Sequence, residues 1–306
     1  MSLIDLRKAM AIILKDLEKA IVKALTDTGV PTGAATLYEF VEIIYPVILQ
    51  ARREIYAEQV IQMGLEIAEY GLQVKPATLR DYAPSATFKT FASALNIGED
   101  RRAALPIEFM DDVTRAARGD KIIITDDNRH APEVIEKAAK KLTAAAERHA
   151  RDAGRQAVID TAAGGQVRAE PRNETTPQSY RRTTTTGEEL GWARVLTGDE
   201  NCAFCAMLAS RGPVYSEETV LTAGSKSSRE GMTYHANCDC AAVLVIKGRK
   251  WQGETEYKKL KSMWDNATEN PTKDEIKEGL EQPLDRFAKR WSAVEDKTRY
   301  APGTEG

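Results

Sequence analysis

The chain has few aromatic residues, and its N-terminal segment has no apolar run long enough to cross a membrane. Only 7% of its 306 residues are aromatic, so its core must come mostly from Ala, Leu, Ile and Val. In the first twenty residues charges recur every few positions, and the longest apolar run covers only 9–14. This run is too short for a signal-peptide core or a bilayer span. The sequence therefore predicts a protein made and assembled in the cytosol, with no membrane partner.

The chain also lacks a strong charge of one sign and any familiar catalytic signature. Its net charge of -3 favours neither a nucleic-acid binder nor a membrane-surface binder. Neither G-x-S-x-G nor H-E-x-x-H occurs, and His130, His149 and His235 stand outside any recognisable protease signature. The sequence therefore assigns no catalytic residue and favours a role other than an enzyme.

The pattern along the chain predicts an α+β fold that is mainly α, in four segments. A helical domain covers 1–165, a flexible polar linker 166–189, a Cys-rich module 190–248 and a helical tail 249–306. The linker prediction rests on a composition that is polar and has no apolar period. Within the module, 241–246 is typical of a buried strand.

Three long helices are predicted in the first segment. The first has an apolar stripe from Leu3 to Leu25 and ends at Gly29. The second begins near Thr36, where Thr36 and Glu39 have capping-box spacing, and runs to about residue 70 with a kink at Pro46. A short strand is expected at 121–125, and a third long helix begins at Pro132 and fades near residue 164.

The third helix carries basic residues that could line one edge. The acidic residues among them favour an ordinary solvated face over a nucleic-acid or acidic-partner contact, and His149 is expected to be partly buried or at the surface. The basic residues are Lys137, Lys141, Arg148, Arg151 and Arg155.

All four cysteines fall within 39 residues, as a C-x2-C pair followed by a C-x-C pair, with a histidine three residues before the second pair. Both spacings let two sulfurs face one point. Three interpretations remain open: a structural zinc site, a packed thiol cluster, and a catalytic cysteine with a histidine base. The candidate metal ligands are Cys202, Cys205, His235, Cys238 and Cys240.

At these residues the chain resembles the phage Mu protein F-like (MuF-like) family of minor head proteins, over about 190–248. Members have a C-x2-C pair, a variable stretch, and an H-x2-C-x-C segment that runs into a strand. This chain has WARVLTGDENCAFC, CAMLASRGPVY and YHANCDCAAVLV in that order. It departs from the family at 242–245, where relatives often carry a proline in the closing strand.

The resemblance implies a minor structural component of a tailed-phage head, assembled in the host cytoplasm and located in the virion. Its implied partners are the portal or the major capsid protein, and contact with packaged DNA stays open. A capsid maturation protease and a zinc-ribbon nucleic-acid binder are the alternative hypotheses. The missing catalytic signature argues against the first, and the acidic balance argues against the second.

Overall fold

The computed structural model describes residues 3–97, 124–164, 189–197, 201–213 and 240–302. The linker predicted at 166–189 lies outside these ranges except for its last residue. His235, Cys238 and most of the expected strand at 121–125 also lie outside them.

Two antiparallel helices open the fold, as the apolar stripes predict. α1 spans Leu3–Thr28 and stops at Gly29, whose φ of +76° favours glycine. α2 spans Ala34–Ala68 and contains Pro46. Among the described residues, α2 is long and apolar enough to cross a membrane by length and composition, and a third of that apolar window is buried inside the protein.

The start of α2 differs from the predicted capping box. The helix begins two residues before Thr36, and the Thr36 hydroxyl accepts hydrogen bonds from the backbone N–H groups of Gly33 at 3.2 Å and Thr32 at 3.0 Å. The cap at Gly33 therefore lies three residues earlier than the predicted Thr36–Glu39 box. A glycine offers no side-chain cap, so Thr36 satisfies the preceding N–H groups instead.

Two more helices complete the bundle. α3 spans Pro84–Leu95, and α4 spans Pro132–Ala162 with its proline in the first turn, as predicted. α4 is the central element, since it packs on α1, α2, α3 and both strands. Residues 124 and 125 are the described part of the strand expected at 121–125, and they lead into a turn before α4. The bundle core includes Leu17, Ile21, Leu25, Leu37, Phe40, Ile44, Ile48, Phe91, Ala138 and Leu142.

A two-stranded antiparallel sheet lies against this bundle. β1 spans Leu190–Val195 and β2 spans Ala241–Ile246, with Leu190 opposite Ile246 and Val195 opposite Ala241. All twelve residues are buried, because both faces of the sheet are covered. This explains why β2 reads as an uninterrupted apolar run rather than an alternating one.

Different helices cover the two faces. One face packs on the end of α2 and on α4, where Trp192 and Leu244 belong to the same cluster as Met63 and Val158. The other face packs on the first turns of α1. Leu3, Leu6, Val195, Val243 and Val245 form that second cluster.

Short helices follow the strands. α5 spans Ala203–Ala209 and lies between β1 and β2 in the chain. After β2, α6 spans Glu254–Glu269, α7 Lys273–Lys277 and α8 Pro283–Ser292. Thr272 and Glu275 stand at capping-box spacing in the sequence, which predicts a helix start there. The structure confirms it, since Thr272 N–H donates to Glu275 Oε2 at 2.7 Å and Glu275 N–H donates to Thr272 Oγ1 at 3.2 Å. With a small sheet and mostly helical chain, the predicted α+β class, mainly α, is confirmed.

Gly253 is required where the chain enters α6. Its φ is +100°, and an added Cβ would lie 2.4 Å from Val195 Cγ1. Gly253→Ala should therefore destabilise the protein by about 2 kcal/mol or more beyond the cost of its backbone strain. Gly248→Ala is the matched control, because Gly248 has φ +79° with open space around it. Urea unfolding of both variants separates strain from clash, and equal losses would contradict the contact with Val195.

Candidate cysteine and arginine site

The C-x2-C pair forms the first turn of α5. Cys202 is the N-cap residue, and its Sγ accepts a hydrogen bond from the backbone N–H of Cys205 at 3.3 Å. Cys205 is only 1% exposed and faces the interior. The turn therefore holds both sulfurs at the buried start of the helix.

Cys240 meets this pair at the start of β2. Its Sγ lies 3.9 Å from Cys205 Sγ, although the two residues are 35 positions apart. At this distance the sulfurs are in contact but not joined in a disulfide. The structure thus brings together one cysteine from each predicted pair, and the two ends of the module close there.

Two buried arginines fix Cys240 from neighbouring elements. Arg194 on β1 donates to Cys240 Sγ at 3.0 Å, and Arg155 Nε on α4 donates to the Cys240 backbone oxygen at 3.0 Å. Arg155 also pairs with Asp152 at 3.1 Å. Hydrogen bonds from two arginines therefore hold both the side chain and the backbone of Cys240 at this junction.

The sequence interpretation of Arg155 is wrong. The sequence predicts that Arg155 lies on a solvated face, yet its side chain is 3% exposed. The missed signal lies in its neighbours, because Ala153, Gly154, Ala157 and Val158 surround it with small or apolar residues. Small and apolar neighbours let other elements pack closely on this part of the helix, and Arg155 is buried there.

The geometry can be compared with a zinc site. Two thiolates on a tetrahedral zinc ion, each about 2.3 Å from the metal, lie about 3.8 Å apart. The Cys205–Cys240 separation fits this spacing. Among the described residues, however, no three His, Cys, Asp or Glu side chains form a ligand group. A complete ligand set would have to include His235 or Cys238, which lie outside the described residues.

The C-terminal helices cover the cysteines. Trp291 on α8 is 1% exposed, and its indole N–H donates to the backbone oxygen of Asn201 at 2.7 Å. Phe287 and Leu260 belong to the same buried cluster as the three described cysteines. The tail therefore packs on the Cys-rich module of its own chain.

His149 is a buried structural residue rather than a surface one. Its Nε2 lies 2.9 Å from Thr90 Oγ1, and its ring packs against Tyr82 with centroids 5.1 Å apart. Burial lowers the pKa of His149 to about 3, and the charges of Arg148 and Arg52 act in the same direction. The imidazole is therefore neutral near pH 7.

Glu66 on α2 gives the fold a pH dependence. Burial raises the pKa of Glu66 from 4.5 to about 8, although a side-chain hydrogen bond with Gln62 lowers it. The folded protein thus binds one more proton than the unfolded chain between these values, and its contribution to stability falls as pH rises through that window. From pH 6.5 to 8.5 we expect a loss on the order of 1–2 kcal/mol.

Glu66→Gln should flatten this fall, because the amide keeps the shape and cannot ionise. The range above pH 6.5 avoids the opposite slope that the neutral His149 contributes at lower pH. Urea unfolding at both pH values measures the effect. Glu54→Gln, at an exposed position of the same helix, should retain the wild-type fall. A wild-type slope in Glu66→Gln would show that another group titrates.

Fold and site together describe a helical α+β protein with a cysteine junction, and sequence comparisons place it among bacteriophage proteins. The chain belongs to the VG15 protein family, which matches residues 49–267. That range runs from the middle of α2 into α6 and includes all four cysteines and both strands.

Two curated relatives are similar over part of the chain. The Gene 15 protein of Mycobacterium phage D29 is 31% identical over 151 residues, which cover 42% of this chain and 48% of the relative. The Gene 15 protein of Mycobacterium phage L5 is 29% identical over 140 residues, covering 36% and 45%. The chain thus spans about half the length of the curated relatives it matches. No solved structure matches it.

Proposed function

We propose that this phage protein is a minor structural component of a tailed-phage head, associated with the portal or the capsid interior during assembly. The observation that carries the proposal is the closure of the module at Cys205 and Cys240. These residues belong to the C-x2-C and H-x2-C-x-C segments that resemble MuF-like minor head proteins. Membership of a phage protein family supports the same class.

The packing suits a structural role. The β1–β2 sheet is covered on one face by α1 and on the other by α2 and α4, and the tail helices cover the cysteines. Such a unit presents a fixed surface, and binding through a fixed surface avoids the entropy cost of ordering it. In this proposal the module is the part that docks on the head.

A structural zinc ion at the cysteine junction is part of this proposal. Cys205 and Cys240 would supply two thiolates, and His235 and Cys238 would supply the remaining ligands, because Cys202 forms no three-residue ligand group with the other described cysteines. Metal analysis of protein purified without a metal-affinity tag should give about one zinc per chain. A folded protein with no zinc would contradict this part and favour a packed thiol cluster.

Analysis of virions tests the head assignment. We expect mass spectrometry of gradient-purified heads to detect the protein in fewer copies than the major capsid protein. In phage with an amber codon in the gene, the heads should lack it while their other proteins keep mature lengths. Absence from wild-type heads would contradict the proposal. Uncleaved head proteins in the amber phage would instead favour the maturation protease. Amber-phage heads that lose only their DNA binding would favour the nucleic-acid binder.

A further inference from the structure

Part of the face of α2 that points away from the core is apolar. Ile61 and Leu65 are 49% and 45% exposed, and they lie one turn apart on that face. The residues around them, Ala57, Gly64 and Ala68, are small and exposed. Single exposed apolar side chains are normal on a soluble protein, but neighbouring ones among small residues form a patch that another surface can cover. We call these five residues the α2 patch.

Acidic residues border the α2 patch. Neighbours on the surface of a helix lie three and four residues apart. Glu58 is three residues from Ile61, and Glu69 is four residues from Leu65. No basic residue stands at these spacings from Ile61 or Leu65 in the sequence. A surface that covers the α2 patch should therefore be apolar at its centre and basic at its border.

The exposed face of α1 has this chemistry. Ile12 is 66% exposed and lies opposite the buried stripe of that helix. Lys8, four residues before it, and Lys15, three residues after it, are both exposed. The remaining charged neighbour, Asp16, pairs with Lys19 at 2.7 Å. α1 therefore presents an apolar centre with basic neighbours, and α2 presents an apolar patch with acidic neighbours.

We propose that the chain associates with itself, with the α1 face around Ile12 of one copy packed on the α2 patch of a second copy. Burial of Ile12, Ile61 and Leu65 drives this contact, and the lysines of α1 meet the acidic border of the patch. The proposal goes beyond the proposed head function and does not depend on it.

The charges favour contact between the two different faces over contact between like faces. Two α2 patches packed together would place their acidic borders side by side, and two α1 faces would bring Lys8 and Lys15 of both copies together. Like charges at such close range repel each other. A contact between two different faces leaves one free face on each copy, so it builds a ring or an open chain of copies.

Sedimentation velocity of the full chain over a range of concentrations tests the proposal. The contact is smaller than a standard interface of roughly 20–30 residues a side, so we expect species larger than the monomer only at about 100 μM and above. Ile12→Asp and Leu65→Asp should each raise the dissociation constant about tenfold or more, because each removes a buried apolar side chain and adds a charge. Ile276→Asp is the matched control, since Ile276 is 64% exposed on α7 and belongs to neither face.

Mixing the two variants distinguishes contact between different faces from contact between like faces. The Ile12→Asp chain retains the α2 patch, and the Leu65→Asp chain retains the α1 face. Each variant should be monomeric alone, and an equimolar mixture should form a one-to-one dimer that does not grow further. Circular dichroism shows whether the variants keep their helices, and Ile61→Asp is a second variant of the patch should Leu65→Asp misfold.

Four results would overturn the proposal. They are a wild-type chain that stays monomeric at about 1 mM, self-association at wild-type strength in either folded variant alone, equal weakening by Ile276→Asp, and a mixture of the two variants that forms no dimer. None of these results bears on the head assignment, because the analysis of virions tests that assignment separately.

Discussion

Replacing Arg155 by alanine should lower the free energy of unfolding by about 3–5 kcal/mol. The guanidinium holds the Cys240 backbone oxygen at 3.0 Å and Asp152 at 3.1 Å, and both lie where α4 meets the sheet. Burial already raises the pKa of Asp152, and the Arg155 charge opposes that rise. Without Arg155 the carboxylate must protonate or remain poorly compensated, and the backbone oxygen loses its donor.

Urea unfolding followed by circular dichroism measures this loss. Lys140→Ala is the control, because Lys140 lies on the same helix in an exposed pair with Glu136, and its loss should change the free energy of unfolding little. Arg155→Lys keeps the charge but not the planar fork, so it should fall between the two. A loss below about 1 kcal/mol for Arg155→Ala would mean that Arg155 does not hold the junction.

Trp291→Ala should cause a comparable loss of about 3–5 kcal/mol and expose the cysteines. The indole is almost fully buried among the residues that cover α5, and its ring meets Tyr300 edge-on with centroids 5.3 Å apart. Its hydrogen bond to Asn201 fixes the residue directly before Cys202. Loss of the side chain should therefore loosen the turn that carries the C-x2-C pair. Thiol-reagent kinetics in native buffer should show faster modification than in the wild type.

Trp291→Phe separates packing from hydrogen bonding. Phenylalanine keeps much of the buried surface and removes the indole donor, so the expected loss is about 1–2 kcal/mol. Equal losses in the Phe and Ala variants would assign the effect to the hydrogen bond. Unchanged thiol kinetics in Trp291→Ala would contradict the role of the tail as a cover for the cysteines.

The sequence predicts the helices well because their apolar periods are regular. The stripe that ends near Leu25, the proline start at Pro132 and the capping box at Thr272 all correspond to observed elements. β2 is predicted for a similar local reason, since its apolar run is bounded by polar residues. Each of these signals depends on residues a few positions apart.

The sequence does not predict the long-range contacts of the site. Arg155 and Cys240 are 85 positions apart, and nothing local indicates that a helical arginine will hold the start of a strand. The contact of Arg194 with Cys240 depends on the strand register, which places Arg194 opposite Ala242. The sequence does not predict the cap at Gly33, because capping-box spacing points to Thr36 as the N-cap residue. In the structure the Thr36 hydroxyl lies inside the helix and accepts a hydrogen bond from the preceding N–H of Gly33.

Closure of the module at Cys205 and Cys240 can be measured by oxidative crosslinking. In Cys202→Ser with Cys238→Ser only these two thiols remain, and serine retains the N-cap at position 202. Diamide, which accepts the two electrons and two protons of the thiols, should join them in native buffer much faster than in urea. Peptide mass spectrometry should identify the Cys205–Cys240 disulfide. An equal rate in urea, or no disulfide in the native protein, would contradict the 3.9 Å contact on which the account depends.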